Sequence, residues 1–143
     1  GGDKRAQYAV QRSHAETFVG TLTYMSPERI KGEAYSYPSD VWAFALSLLT
    51  CALGRNTMLR EDGGYWSVLK CVRDEPAPRL PGDGRWSPEF RGFIAKTLQK
   101  DPAARAGVAD LLKSDPFVLR GHKLYENRCF ESLASSGASE VAA

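Results

Sequence analysis

Histidine, methionine and cysteine are all scarce in this chain. Its 143 residues include 2 histidines, 2 methionines and 3 cysteines. Cys51, Cys71 and Cys129 lie far apart, with no C-x-x-C pair and no His/Cys cluster. That argues against a zinc site and against a disulfide framework, and fits reduced thiols inside a cell. His14 and His122 have no second ligand or nucleophile at motif spacing and read as surface residues. No apolar run approaches the roughly 20 residues of a bilayer span, so no membrane is expected. The start, GGDKRAQYAV, has no apolar signal core. A net charge of +2 is too small to argue for nucleic acid or an anionic membrane surface as partner. The first methionine is Met25, so the chain is expected to begin downstream of a translation start. These absences leave a cytoplasmic protein as the expectation.

What is present describes one ordinary globular domain: 43% hydrophobic and 25% charged residues. Residues 1–25 show few periodic apolar positions and read as loop. In Ser26-Pro27-Glu28-Arg29-Ile30 a short helix starts, with Ser26 able to cap, Pro27 suited to the first position and Glu28 at the positive dipole end. KGEAYSYP is a turn-rich connector. Ser39 to Gly54 is the clearest element: Ser39 or Asp40 caps it, Gly54 stops it, and only Ser47 and Thr50 interrupt the apolar residues from Val41 to Leu53. A helix apolar on nearly every side is expected to be buried on every side.

Tyr65 to Arg73 reads as a helix with Trp66, Leu69 and Val72 on one side. EPAPRLPGDG is a loop. After Ser87-Pro88-Glu89, the residues Phe90, Phe93, Ile94, Thr97 and Leu98 make one amphipathic face. Val108 to Lys113 is a short helix closed by Asp115-Pro116-Phe117, and the segment from 120 to 143 is expected to be a disordered tail. With no strong strand signal, the expected fold is all-α, with four or five helices around residues 39–54.

Four blocks in order carry a resemblance. GTLTYMSPERI resembles the end of a protein-kinase activation segment, with Ser26-Pro27-Glu28 where most kinases have Ala-Pro-Glu. SDVWAFALSLLTCALGR resembles the central helix of the kinase C-lobe, YWSVLKCVRDEPAPRLP the next helix and its exit, and LQKDPAARAGVADLLKSDPF the closing segment. Within that family, Ser13 and Thr17, four apart and ahead of Phe-Val-Gly-Thr, resemble the paired hydroxyls of MAP kinase kinases, and EPAPRLP resembles their EPPPRLP. The resemblance implies a partial kinase domain over 1–119, with the activation segment at 1–30 and the helical C-lobe at 31–119. It implies that Ser13 and Thr17 receive phosphate from an upstream MAP kinase kinase kinase. Each phosphate adds about −1.5 to −2 charge and can order a loop by recruiting arginines. It further implies that Thr21, Tyr24 and Met25 meet a MAP kinase substrate, and that Glu28 pairs with Arg105 in the lobe base. Asp40 would accept hydrogen bonds from the catalytic loop, in the helix that carries Trp42. Two positions depart from the pattern: Ala45 stands where most kinases have glycine, and Ala106 where proline is frequent.

The resemblance also exposes what this sequence lacks. Phosphoryl transfer, for which protein kinases are themselves the type example, needs a Gly-rich loop, a strand lysine, a His-Arg-Asp loop with its asparagine and an Asp-Phe-Gly metal site. None of these motifs occurs. Asn56 and Asn127 fall in the wrong places, and Asp3 is followed by Lys4-Arg5, so it earns no metal role. The parent protein is therefore expected to use ATP and Mg²⁺, while this chain alone binds neither tightly and transfers no phosphate. The alternative expectation is a non-catalytic lobe acting as a docking or decoy module; an upstream sequence carrying the missing motifs separates the two. With part of the cover over its central helix missing, the isolated chain is expected to expose an apolar patch and to be molten or aggregation-prone.

Overall fold

A computed structural model describes residues 20–59 and 64–137, with side chains as far as 128. Among them the architecture is helical and no strand occurs, as expected of an all-α lobe. Helix α1 is Pro27–Ile30, α2 Tyr37–Leu53, α3 Tyr65–Asp74, α4 Pro88–Thr97, α5 Val108–Ser114 and α6 Pro116–Gly137. Helix α2 packs on α4, α1 on α3, and α6 on both α4 and α5.

Helix α2 forms because its apolar run contains no interior Gly or Pro, and it stops at Gly54, which adopts φ 66°. That left-handed conformation strains any residue with a Cβ, so glycine ends the helix. Its start is earlier than the sequence suggests. The cap position is Ser36, without a side-chain cap bond, and Pro38 sits in the first turn, where a missing N–H costs nothing. Ser39 and Asp40 therefore lie inside the helix rather than capping it. Trp42, Ala45, Leu46 and Leu49 are at most 1% exposed. The three large ones each contribute about 1.5–3 kcal/mol by leaving water. Ala45 is fully buried in this core, so its methyl finds room.

The expectation that α2 is buried all round does not hold. Asp40, Phe44, Ser47 and Cys51 form an exposed stripe, with Phe44 57% exposed. Phe44 lines a groove of about 350 Å³ with Val108, Leu111, Leu112 and Val118.

In α3 the inward residues are Val68, Cys71 and Val72, whereas Trp66 is 78% exposed. Positions 66, 69 and 72 and positions 68, 71 and 72 both satisfy helical spacing, and the smaller set faces the core. Helix α4 follows its sequence pattern. Ser87 accepts a hydrogen bond from the Phe90 amide at 3.2 Å, and Phe93, Ile94, Thr97 and Leu98 are buried. Phe90 and Phe93 both contact the ring of Phe117 on α6.

Asp115 joins α5 to α6. Its Oδ1 accepts the amides of Phe117 and Val118 at 3.0 and 3.1 Å, and its Oδ2 accepts Lys96 Nζ at 2.7 Å. Asp115-Pro116 thus closes one helix and opens another. The segment from 120 on, expected to be disordered, is helical to Gly137; residues 138–143 lie outside the described ones. Few helix breakers occur between Phe117 and Ser136, although Leu124 and Tyr125 stay 57% and 69% exposed. No helix among the described residues is long and apolar enough to cross a membrane.

Candidate functional site

The site begins in the loop before α1. Gly20 to Leu22 form a helical turn, closed by hydrogen bonds that the amides of Thr23, Tyr24 and Met25 donate to the carbonyls of Gly20, Thr21 and Leu22. Leu22 drops into the core at 6% exposure and pulls the loop down with it. Thr23, 1% exposed, donates its hydroxyl to the Gly20 carbonyl at 2.6 Å and accepts Asn56 Nδ2 at 2.7 Å. Asn56 Oδ1 in turn accepts the Met58 amide at 2.9 Å. Sequence reasoning missed this link, since Thr23 had no role of its own within GTLTYMSPERI and Asn56 belongs to no motif. The nearest signal was the polar pair itself, each beside a strongly apolar stretch.

With Leu22 and Thr23 turned inward, Thr21 is exposed, while Tyr24 and Met25 are half-buried and pack one side against the core. They line a groove of about 260 Å³, shared with Arg29, Tyr35 and Asp40. The three residues expected to meet a substrate thus stand together, and Asp40 joins them. Tyr35 donates its hydroxyl to Asp40 Oδ1, and the Arg29 guanidinium lies 5.1 Å from the Tyr35 ring centroid. The bond to the Asp40 carboxylate raises the Tyr35 phenol above its usual pKa. This Arg29–Tyr35–Asp40 chain was also not read from the sequence.

The groove is fixed from below by Glu28. Helix α1 is only four residues long, and Ser26 occupies its cap position without making the side-chain bond expected of it. Its hold on the lobe is therefore not local. Arg105 Nη1 and Nη2 donate to Glu28 Oε1 and Oε2 at 2.7 and 2.9 Å, a two-pronged pair between side chains 0% and 5% exposed. Arg105 Nη1 also donates to the Pro38 carbonyl at 2.6 Å and Nε to the Gln99 carbonyl at 2.9 Å. The Trp42 ring lies 5.2 Å from the guanidinium carbon. Ser39 Oγ adds a hydrogen bond to Glu28 Oε1 at 3.0 Å. Burial alone would raise the Glu28 carboxyl, but the hydrogen bonds and charge of Arg105, with further hydrogen bonds, hold it down at about 2. The pair expected between Glu28 and Arg105 thus forms, with Trp42 stacked on it. Ser13 and Thr17 lie outside the described residues.

Comparison with known proteins places these residues in context. The protein kinase domain family matches residues 5–118. The chain is 46% identical over 107 residues to Mitogen-activated protein kinase kinase 3 of Arabidopsis thaliana, covering 75% of this chain and 20% of that protein. Mitogen-activated protein kinase kinase 1c of Physcomitrium patens is 42% identical over 108 residues, covering 72% of this chain and 31% of that protein. Mitogen-activated protein kinase kinase SIPKK of Nicotiana tabacum is 42% identical over 109 residues, with coverage of 73% and 30%. The chain spans less than a third of the length of each of these three relatives.

Proposed function

Because this chain belongs to the protein kinase family and is like the MAP kinase kinases within it, we propose that its parent protein phosphorylates a MAP kinase and that residues 18–30 form the platform receiving that substrate. The observation that supports this most is the Glu28–Arg105 pair, which ties an outward-facing loop to the base of the lobe with two short hydrogen bonds.

In this reading Thr21 lies near the acceptor hydroxyl. Tyr24 and Met25, both half-buried, make an apolar and polar wall for the residue that follows it. Holding the acceptor in one geometry lowers the entropic part of the barrier. Ser13 and Thr17 are the regulatory hydroxyls, phosphorylated by an upstream MAP kinase kinase kinase. The target is a threonine and a tyrosine, or a serine and a threonine, of a MAP kinase. The site of action is the cytoplasm.

ATP and Mg²⁺ supply the phosphoryl group and neutralise its charge in the parent protein. Among the described residues no three His, Cys, Asp or Glu side chains gather where a Mg²⁺ ion would sit. The chain alone is proposed to be inactive, its part being to position the substrate.

The test uses the product of the complete transcript. With a MAP kinase as substrate, it should transfer phosphate from ATP to the activation loop. Met25→Asp should raise KM at least several-fold, and Ser13→Ala with Thr17→Ala should remove activation by the upstream kinase. A complete product that transfers no phosphate, or a Met25→Asp variant with unchanged KM, would defeat the proposal.

A further inference from the structure

The proline-rich exit from α3 runs over α4 and leaves a cleft of about 400 Å³ between them. Leu80, Pro88, Ile94 and Ala95 make its apolar floor, and Arg79 and Arg91 stand at it. Leu80 and Ile94 are 7% and 1% exposed, so this floor is an outcrop of the core. Pro88, Arg91 and Ala95 fall at i, i+3 and i+7 and share one face of α4. Gly92, beside Arg91, keeps the helix surface low where a larger side chain would fill the cleft. The cleft shares no lining residue with the groove at Thr21, Tyr24 and Met25.

Its electrostatics are one-sided. Arg79 and Arg91 are exposed, and neither makes a hydrogen bond or ion pair with a described residue. Two neighbouring carboxylates are engaged elsewhere: Asp83 holds Arg85 at 2.7 Å and Asp74 holds Arg73 at 2.7 Å. Glu89, two positions before Arg91, does not line the cleft, and its Oε2 is buried without a hydrogen-bond partner. Among the described residues no acidic side chain lines the cleft. Two uncompensated guanidinium groups over a low-dielectric floor focus a positive potential into it.

A guanidinium fork matches phosphate in a two-pronged way. A phosphorylated side chain carries about −1.5 to −2 charge, enough to neutralise both arginines where one carboxylate neutralises one. The volume lies within the roughly 300–1,000 Å³ of ordinary ligand sites, and the apolar floor suits a neighbouring aliphatic side chain. We propose that this cleft recognises a phosphorylated segment of a partner protein, with an apolar residue next to the phosphorylated one.

The experiment is fluorescence anisotropy on the whole chain with a labelled Gly-Gly-phosphothreonine-Leu-Gly-Gly peptide, its unphosphorylated form and a form with glutamate in place of phosphothreonine. The phosphopeptide should bind at least about ten-fold more tightly than the unphosphorylated form, a typical scale for charge-assisted hydrogen bonds. Its binding should weaken as salt rises. Arg79→Ala and Arg91→Ala should each weaken it about ten-fold, and Arg91→Lys should weaken it as well, since an ammonium lacks the fork. Arg73→Ala, basic and exposed but outside the cleft, should change nothing. Arg79→Gln and Arg91→Gln repeat the comparison should either alanine variant lose its near-ultraviolet dichroism. Equal binding of the phosphorylated and unphosphorylated peptides, or binding indifferent to both arginines, overturns the proposal. A glutamate peptide as tight as the phosphopeptide overturns it too, in favour of an acidic segment.

Discussion

Removing Arg105 is the most telling perturbation of this structure. In an Arg105→Ala variant, Glu28 keeps its place at 4% exposure but loses both prongs of its partner. The carbonyls of Pro38 and Gln99 lose their donors, and Trp42 loses the cation over its ring. Leaving one member of a buried pair alone costs about 3–5 kcal/mol. A domain of this size has about 5–15 kcal/mol in total, so the variant should be severely weakened. Urea unfolding followed by tryptophan fluorescence, to which the fully buried Trp42 contributes, reads the effect. With a slope of about 2 kcal/mol/M, the midpoint should fall by roughly 2 M. The control is Glu28→Met with Arg105→Met, which removes both charges and keeps volume. It should recover much of the loss, because no charge is left stranded, although the two carbonyls still lack donors. An Arg105→Ala cost below about 1 kcal/mol would refute the reasoning. So would a double variant as unstable as the sum of the single ones, since a coupled pair cannot behave additively.

Three further outcomes follow from other parts of the fold. The folded Glu28 carboxyl titrates at about 2 against an ordinary 4.5, so its contribution is full above pH 4.5 and is lost as pH falls towards 2. That amounts to roughly 3 kcal/mol, and the acid limb of a stability-versus-pH curve should be shallower in Glu28→Gln. Asn56→Ala should cost about 1–2 kcal/mol and speed amide exchange in residues 20–25 before it affects α4, because it strands the Met58 amide and takes the donor from the Thr23 hydroxyl oxygen, which keeps only its bond to Gly20; uniform exchange would contradict a local link. Phe44→Ser, on the exposed stripe of α2, should reduce binding of an apolar dye and slow aggregation with under about 0.5 kcal/mol of change in stability.

The α2 and α4 helices were legible because long apolar runs and i, i+3, i+4 spacing are written in adjacent residues. The beginning of α2 was not, because Tyr37-Pro38 reads equally as connector and as first turn. The inward face of α3 was ambiguous between two spacings, and the surrounding packing chose Val68, Cys71 and Val72 over Trp66. The reach of α6 to Gly137 was missed because its small polar residues carry no burial pattern. The site divides in the same way. Glu28 and Arg105 are 77 positions apart, a separation no periodicity can bridge, and only the family resemblance joined them. The Thr23–Asn56 bond and the Tyr35–Asp40 bond each join a residue inside a recognised block to one outside it, and no motif pairs them, so only coordinates reveal them.

The same separation of 77 positions between Glu28 and Arg105 has a consequence for how the chain is made. At about 5–20 residues per second, the ribosome adds Arg105 some 4 to 15 s after Glu28. Closing so long a loop also costs about 4 kcal/mol of chain entropy by the logarithmic rule, apart from its constant part. Local helices can form within microseconds, so α2 has ample time to form while Glu28 still lacks a partner. The platform is thus among the last parts of the nascent lobe to be fastened. Until then its carboxylate stays solvated, and the loop before α1 is open to chaperones and proteases.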